Sequence, residues 1–585
     1  MTGMASRPVR IANVSGYLGD RYTAVDEAMA GDPVDVLMGD YLAEITLAAL
    51  AAAAGRGGPG YVAYALDQLT PHLPEIARRG IRVVTNAGGF DPAGMARELR
   101  GRIAAAGLPL RVAHVAGDGV FDRLADFHTD GHGLEHLDTG APLKDWGFAP
   151  IAANAYLGGF GIAAALAAGA DVVVTGRVTD ASLTAGPAAW WHGWGPDEFD
   201  ALAGAVTAGH VIECGAHATG GNFSGFRSVP GMLRPGFPIA EVAADGSSVI
   251  TKHARDGGTV TVDTVTAQLL YEIQGPRYLN PDVTVHLDTV RLSQEGPDRV
   301  AIGRVTGSPP PPTAKVAVFA PIGYEISTML FCTAPDVEGK VELLRTQLRA
   351  ALEGHVDSLE VTPLGVAAVD PPTQWAATVP IRVIATARER EPLLRFAPAV
   401  GSLYLQGFPG FHHDGHAPRA SQPWPRIEYW PALLESALLD HHAVLDDGSR
   451  VEVPRATRTA TPEETVQPVH PEPDLPAPTG PRAELGEYTW ARAGDKGGNA
   501  NVGVWCRDPA HWEWLRATLT TGRAAALLPE AGGRIVRHEF PHLRAVHLVL
   551  VGLLGSGGSA NLRVDQIGKS VGEYLRARHV EGPTA

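Results

Sequence analysis

The stretch that decides the fold is residues 171–180, which read D-V-V-V-T-G-R-V-T-D. Its run of β-branched residues predicts a buried strand, and the glycine after the run predicts a turn at the carboxyl end of that strand. Earlier apolar runs that are also followed by glycine with aspartate or asparagine are Val9–Val14, Val34–Met38, Ile81–Thr85 and Leu110–Val115. Helical stretches separate these runs, so the sequence predicts an α/β domain with a mainly parallel sheet. Ligands of such sheets bind beyond the carboxyl ends of the strands.

The character of the sequence changes twice along the chain. After about residue 237, β-rich runs such as Val260–Val265 predict an α+β portion of the same large domain. Residues 454–482 are rich in proline and acidic residues, which predicts an extended linker. We therefore predict an N-terminal domain over residues 9–453, with a sub-boundary near residue 237, and a small α+β domain of ferredoxin-like character over residues 483–582.

Composition excludes several classes of protein. Of the 585 residues, 45% are hydrophobic and 19% are charged, which excludes a disordered chain. The net charge of −16 argues against binding to nucleic acid or to anionic membranes. The three cysteines include no C-x-x-C pair, which fits a reducing compartment, and the amino-terminal residues lack the apolar segment of a signal peptide. We therefore predict a cytoplasmic protein that binds a small molecule and neither nucleic acid nor a membrane.

Carboxylates at the strand ends are the candidates for acid and base chemistry. Asp40 and Glu44 are four residues apart, a spacing that predicts both side chains on one face of a helix. Paired carboxylates with different pKa values can divide the work of acid and base between them. Asp180, at the end of the most hydrophobic strand, is the third candidate. The alternative is that these acidic residues only cap helices and complement their dipoles.

Amide, arginine and glycine residues at the same strand ends are candidates for substrate binding. Side-chain amides orient a carbonyl or a carboxylate, arginine holds an anion with two parallel hydrogen bonds, and glycine lets the backbone approach a ligand. The alternatives are turn chemistry and a purely structural arginine–aspartate pair. The substrate-binding candidates are Asp20, Arg21, Asn86, Gly88, Gly89, Asn154, Tyr156, Gly176 and Arg177.

Two further motifs contain reactive side chains. His210, Glu213, Cys214 and His217 would share one helical face, and all four are metal-ligand types, although nearby glycines argue against a long helix there. A metal site at His210 and His217, catalysis by Glu213 or Cys214, and a structural role all remain open. In residues 492–501 the sequence R-A-G-D-K-G-G-N-A-N places Asp495 and Lys496 beside a predicted strand, where the lysine could bind an anion. The alternative is a polar turn between two strands.

At these motifs the chain resembles the acyclic terpene utilisation (AtuA) family. The matching segments are Gly19–Arg21, Gly39–Glu44, Asn86–Gly89, Asn154–Gly158, Gly176–Asp180, Gly209–Asn222, Gln268–Glu272 and Arg492–Gly497. The chain departs from the family pattern at two positions. The family usually has asparagine before the proline where this chain has Asp91, and serine where this chain has Ala493. The resemblance adds Asn222 to the substrate-binding candidates. It implies a ferredoxin-fold C-terminal domain and a bacterial role in the breakdown of citronellol- and geraniol-type acids as CoA thioesters.

We therefore predict a catabolic enzyme that carries out a hydratase or lyase step on a branched carboxylate or acyl-CoA. Asp40, Glu44 and Asp180 would transfer protons, and Arg21 and Arg177 would hold the anionic group. We predict a homo-oligomer and assign no cofactor. One alternative is a metal-dependent hydrolase, and the other is a non-catalytic ligand-binding or assembly protein of a degradation pathway.

Overall fold

The structure is a computed structural model, which describes residues 7–55, 57–413 and 422–584. The chain divides into two units, one of residues 1–147, 151–319 and 429–585, and one of residues 148–150 and 320–428. Among the described residues, no helix is long and apolar enough to cross a membrane. All predicted site residues belong to the larger unit.

Strands and helices alternate through about the first 200 residues, and the bounds of all the described elements are as follows. The strands are β1 (Val9–Ser15), β2 (Val36–Gly39), β3 (Arg82–Thr85), β4 (Val112–Ala116), β5 (Ala152–Ala155), β6 (Val172–Val174), β7 (Pro238–Val242), β8 (Ser248–Lys252), β9 (Arg277–Leu279), β10 (Thr284–His286), β11 (Arg291–Gly296), β12 (Arg299–Gly303), β13 (Thr306–Ser308), β14 (Thr313–Thr333), β15 (Ser358–Pro363), β16 (Thr378–Ala387), β17 (Phe411–His413), β18 (Trp424–Glu435), β19 (His442–Val444), β20 (Arg450–Glu452), β21 (Arg482–Glu484), β22 (Thr489–Lys496), β23 (Asn499–Cys506), β24 (Ile535–Phe540), β25 (Ala545–Leu550) and β26 (His579–Glu581). The helices are α1 (Ala24–Met29), α2 (Glu44–Ala54), α3 (Ala63–Leu69), α4 (Leu73–Arg79), α5 (Pro92–Ala105), α6 (Leu124–Thr129), α7 (Phe160–Ala167), α8 (Ser182–His192), α9 (Phe199–Ile212), α10 (Val262–Leu269), α11 (Val337–Leu352), α12 (Arg390–Leu393), α13 (Phe396–Gln406), α14 (Pro462–Thr465), α15 (Trp512–Thr518), α16 (Thr521–Leu527) and α17 (Val571–Arg576).

The main sheet of the larger unit has eleven strands in the order β11-β12-β8-β7-β1-β2-β3-β6-β4-β19-β20. The α/β prediction is confirmed, but only the five central strands, β1, β2, β3, β6 and β4, are parallel. Antiparallel strands extend both edges. The parallel strands are apolar on both faces, as Val172–Val174 illustrate, because helices cover both sides of a parallel sheet.

One predicted strand is a helix. Residues 260–265 were expected to be β-rich, but α10 begins at Val262. The Thr261 side chain accepts the backbone N–H of Thr264, and the Thr264 side chain accepts the backbone N–H of Thr261. This reciprocal cap starts a helix in spite of the β-branched residues that predict a strand.

The C-terminal domain is confirmed as ferredoxin-like. Four of its strands form an antiparallel sheet in the order β22-β23-β25-β24, with α15 and α16 between β23 and β24, and α17 after β25. Strands β21 and β26 pair separately as a two-stranded antiparallel sheet. This is the β-α-β-β-α-β order with the last strand moved to the front. The β22–β23 hairpin therefore joins two strands that would otherwise be the two ends of the domain. Lys496 ends the first strand of that hairpin.

This domain packs closely against the segment that follows α10. A Cβ atom on Gly503 would lie 2.4 Å from the Cβ of Leu270, and one on Gly494 would lie 2.3 Å from the ring of Tyr271. The Asn501 amide donates a 2.9 Å hydrogen bond to the Leu270 carbonyl. Glycine at these two strand positions lets the sheet reach residues 270–272.

The proline-rich segment is fastened to both domains by residues near its middle. The Gln467 amide nitrogen donates to the Arg277 carbonyl at 2.7 Å, and the Arg277 backbone N–H donates to the Gln467 amide oxygen at 2.8 Å. Further along, Glu472 accepts the backbone N–H of Thr521 at 2.9 Å. The segment therefore contacts both the N-terminal domain and the C-terminal domain.

The smaller unit is a sheet in which β16 pairs with β15 on one side and with residues 324–333 of β14 on the other, all antiparallel. Helices α11, α12 and α13 belong to the same unit. Its core includes Leu344, Leu348, Ile381 and Phe396, all fully buried.

The packing of the C-terminal domain can be tested at Gly503. We expect Gly503→Ala to lower the free energy of unfolding by about 1–3 kcal/mol, because the added methyl group overlaps Leu270. Chemical denaturation measures the change. Gly522→Ala is the control, since a Cβ atom there meets nothing within 4 Å and the position lies in α16. Equal stability of the two variants would contradict the close packing.

Candidate functional site

The larger unit contains two neighbouring cavities. Residues that follow β1, β2 and β6 line one of them, and some of those that follow β6 line the other. The smaller cavity has a volume of 380 Å³ and is named here the leucine cavity after Leu137, Leu279 and Leu433 in its wall. The larger has a volume of 660 Å³ and is named the carboxylate cavity. The carboxylate side chains in its wall are Asp20, Asp40, Glu44, Asp180, Glu213, Glu272 and Asp495.

The two cavities share part of their lining. Asp180, Glu272, Lys496 and Gly497 line both, and we name the three charged residues among them the junction. The lysine comes from the C-terminal domain and the two acidic residues come from the N-terminal part of the chain. The site is therefore completed by the ferredoxin-like domain.

Asp40 and Glu44 both line the carboxylate cavity, but the predicted shared helix face is wrong. Helix α2 begins at Glu44, so Asp40 lies before it in an irregular segment. Asp40 accepts a 2.6 Å hydrogen bond from the Asn86 amide and a 3.2 Å bond from the backbone N–H of Leu42. Burial, and then the nearby charge of Asp180, raise the pKa of Asp40 well above its usual value.

Glu44 has the opposite protonation behaviour. Burial alone would raise its pKa, but Lys315, Arg177 and Lys496 together lower it below the usual range. The Tyr156 hydroxyl donates to Glu44 at 2.8 Å, and the Lys315 ammonium lies 3.4 Å from the same oxygen. Two carboxyl groups four residues apart thus favour different charge states, a separation that acid–base sites use.

Arg177 is fully buried and makes contacts on several sides. It donates to the Leu42 carbonyl at 2.9 Å, forms an ion pair with Asp180, and lies 4.2 Å above the centre of the Tyr156 ring. Its backbone N–H donates to Asp118 at 2.8 Å. Burial opposes its charge, yet Asp180 and its other neighbours raise its pKa. Arg177 lines the leucine cavity and also holds the loops together.

The junction places a carboxyl group that titrates near neutrality beside a cation. Burial raises the pKa of Glu272 to about 7, although Lys496 opposes the shift. Burial and then Glu272 raise the pKa of the neighbouring Asp495 to about 8. Lys496 keeps its proton, because Glu272 and Glu44 outweigh the burial that would lower its pKa. Glu272 has a φ of 54°, in the left-handed region that non-glycine residues rarely adopt.

The segment from His210 to His217 does not form one helical face. Helix α9 ends at Ile212. The Nδ1 atom of His210 lies 3.2 Å from Oε1 of Glu213. The His217 ring accepts a 2.8 Å hydrogen bond from Arg492. Within residues 7–55, 57–413 and 422–584, no three His, Cys, Asp or Glu side chains are grouped to hold a metal ion.

The protonation states in this segment are set mainly by burial. Burial lowers the pKa of His210 to about 4 and that of His217 well below its usual value. Burial and then the charge of Glu213 raise the pKa of the Cys214 thiol well above its usual value, which favours the neutral thiol. Burial, and then the charge of Asp180, raise the pKa of Glu213 well above its usual value. The Oε2 atom of Glu213 has no hydrogen-bond partner among the described residues.

The structure brings most of the predicted site residues to the cavities. Those that line one or both cavities are Asp20, Asp40, Glu44, Tyr156, Arg177, Asp180, Glu213, Cys214, His217, Asn222, Asp495 and Lys496. Those that line neither are Arg21, Asn86, Gly88, Gly89, Asn154, Gly176 and His210.

The residues outside the cavities hold other residues in place. Asn154 donates to Asp118 at 2.6 Å, as Asn86 does to Asp40. Arg21 forms a 2.6 Å ion pair with Glu27. These amides and this arginine are therefore engaged within the protein itself.

Several cavity residues were not predicted as site residues. They include Tyr271, Glu272, Lys315, Tyr429 and Lys569. One signal in the sequence could have pointed to two of them. The chain has only six lysines beside 42 arginines, and Lys315, Lys496 and Lys569 are half of them.

Fold and site together define a class of protein in which a parallel-centred α/β domain and a ferredoxin-like domain build one site. A model of the acyclic terpene utilisation family protein AtuA matches residues 9–445, and a model of the AtuA ferredoxin-like domain matches residues 483–581. The chain therefore belongs to the AtuA family, and the resemblance in the sequence is confirmed. No curated protein and no solved structure matches the chain.

Proposed function

We propose that this AtuA family member is a lyase-type enzyme that adds water to, or removes it from, a branched carboxylate or its CoA thioester. The observation that carries the proposal is Glu272, whose pKa is raised to about 7 beside Lys496 where the two cavities meet. A general acid or base works best when its pKa lies near the working pH.

The junction suits the chemistry of hydration. Ionised Glu272 can take a proton from the attacking water, and the Lys496 ammonium can stabilise the negative charge that develops on the carbonyl oxygen. Asp40, with its raised pKa, can remain protonated and act as an acid.

The leucine cavity suits the hydrocarbon part of such a substrate. Leu137, Leu279 and Leu433 are 47%, 43% and 46% exposed, although they are large apolar side chains. Apolar surface that lines a cavity is a typical feature of ligand sites. The substrate chain would lie there, with its carbonyl group at the junction.

The C-terminal domain contributes Asp495, Lys496 and Lys569 to the cavity wall, which favours a catalytic role over a separate docking module. A cytoplasmic location and a homo-oligomeric state belong to the proposal as well. Light scattering of the purified protein measures the oligomeric state.

The proposal is tested with the wild-type protein and a panel of branched and straight-chain acyl-CoA esters and free acids in ¹⁸O-labelled water. We expect mass spectrometry to show that a branched member gains one water, with the label in the hydroxylated product, or loses one water to give the unsaturated product. Release of free CoA without addition or loss of water at the acyl chain would instead indicate a hydrolase. No change in any panel member would leave the non-catalytic alternative.

A further inference from the structure

Lysine is scarce in this protein, and its placement is uneven. Three of the six lysines, Lys315, Lys496 and Lys569, line the two cavities, whereas the 42 arginines supply most of the positive charge elsewhere. Arginine never releases its proton in a protein, but lysine does so readily when it is buried. The leucine cavity also contains Arg177 and Arg277, whereas the described residues that line the carboxylate cavity include Lys496 and Lys569 and no arginine.

The three cavity lysines differ in their surroundings. Burial lowers the pKa of both Lys315 and Lys496, but neighbouring groups outweigh it. Tyr156 and Glu44 raise the pKa of Lys315. Glu272 and Glu44 raise the pKa of Lys496. For Lys569 burial is the dominant influence, and it lowers the pKa. Lys569 is thus the cavity lysine that most readily becomes a neutral amine.

Lys569 contacts two side chains that are adjacent in sequence. Its ammonium group forms a hydrogen bond with the Tyr271 hydroxyl and lies 3.8 Å from Oε1 of Glu272. All three residues line the carboxylate cavity. Glu272 also belongs to the junction, so a continuous path of polar groups runs from the junction to Tyr271.

Other titratable groups surround this path. The Arg492 guanidinium lies 4.4 Å from the centre of the Tyr271 ring, and the backbone N–H of Lys569 donates to Asp565 at 2.9 Å. The titratable and charged groups around Lys569 and its two partners are Arg492, Cys214, His217, Asp565, Lys496, Glu44, Asp180 and Asp495.

We propose that Lys569 relays a proton between Glu272 and Tyr271, so that Tyr271 protonates the substrate carbon next to the carbonyl. This inference rests on the hydration reaction proposed above. Tyr271 is then a second catalytic residue, and Lys569 acts through Tyr271 and Glu272.

The protons balance over one cycle of hydration. Water loses a proton to the Glu272 carboxylate as its oxygen bonds to the β-carbon, and the electron pair of the double bond moves toward the carbonyl group. The α-carbon then takes the hydroxyl proton of Tyr271. The Lys569 ammonium returns a proton to the tyrosinate, and the neutral amine recovers a proton from Glu272. The protein ends in its starting state, and the substrate has gained one water.

The first test needs no substrate. Trace acetylation with acetic anhydride, read for each lysine by mass spectrometry, gives the reactivity of each amine between about pH 6 and 10. We expect Lys569, whose side chain is 35% exposed, to react at lower pH than the exposed Lys144. The relay is overturned if the two lysines share one pH dependence.

The second test uses the substrate that the panel identifies. Lys569→Ala should lose about 10²–10⁴-fold in kcat, and added methylamine or ethylamine should restore part of that rate. Lys569→Arg should stay inactive, because a guanidinium cannot give up a proton. An active Lys569→Arg variant would show that a positive charge suffices and would overturn the relay. Lys144→Ala is the control and should keep the wild-type rate.

The two tests separate the relay from the proposed function. A low-pH reactivity of Lys569 combined with no water transfer to any panel member would overturn the hydration reaction and not the reactivity of the amine. Water transfer combined with an unshifted Lys569 would overturn the relay alone.

Discussion

Glu272→Gln should lower kcat by about 10²–10⁴-fold, because the amide cannot accept a proton from water. The side chain keeps its size, so the cavity walls stay in place. Mass-spectrometric assay of the substrate found in the panel measures the loss. Glu353→Gln, an exposed position, is the matched control and should be unchanged. Full activity of Glu272→Gln would remove this carboxylate from the mechanism.

The raised pKa of Glu272 also predicts how activity and stability change with pH. If Glu272 acts as the base, kcat/KM of the wild type rises as the pH passes through about 7 and this carboxyl loses its proton. For stability the direction is opposite, because a folded-state pKa above the ordinary value of 4.5 means that the native state holds its proton more tightly. The stabilisation is complete below pH 4.5 and is lost as the pH rises through 7. Glu272→Gln stays neutral, so above pH 7 it should be at least as stable as the wild type in denaturant titrations.

Arg177→Ala should lose about 3–5 kcal/mol of unfolding free energy, because removing one partner of a buried ion pair leaves the other charge uncompensated. Asp180 would lose its partner, and the carbonyl of Leu42 would lose a donor. Urea denaturation measures the effect. The variant therefore tests the structural contribution of Arg177 before any assay of turnover is interpreted.

Two further variants make this test specific. Arg349→Ala, at an exposed position of α11, should change stability little. The double variant Arg177→Met with Asp180→Asn removes both charges and should recover part of the loss. Equal losses in Arg177→Ala and Arg349→Ala would contradict the importance of the buried pair.

The sequence was informative where a local pattern determines the structure. An apolar run followed by glycine and aspartate predicts Asp40 and Asp180 beyond strand ends, and both residues follow their strands and line the carboxylate cavity. The same pattern predicts Asn86 and Asn154 at strand ends. Asn86 does follow β3, but Asn154 lies within β5, and the two amides donate to Asp40 and Asp118. Which group an amide binds depends on neighbours that are distant in sequence, and no spacing reveals them.

Glu272 and Lys569 were missed for a related reason. They are almost 300 residues apart and meet only because Gly494 and Gly503 let the C-terminal domain pack against residues 270–272. The left-handed backbone of Glu272 also has no sequence signal, since asparagine or glycine would be expected there. Backbone strain of this kind costs about 1–3 kcal/mol and is concentrated at functional sites.

The fastened proline-rich segment has a consequence for how such a protein can be encoded. Gln467 and Glu472 attach the segment to the two domains separately. Gln467 lines the leucine cavity, Glu472 lines neither cavity, and neither is a junction residue. Residues 468–472 line neither cavity, so covalent continuity between these two anchors is not needed to build the cavity walls. The same architecture could be divided between two genes, with one polypeptide ending and the next beginning in this segment, and the two products would still unite through the glycine-lined contact.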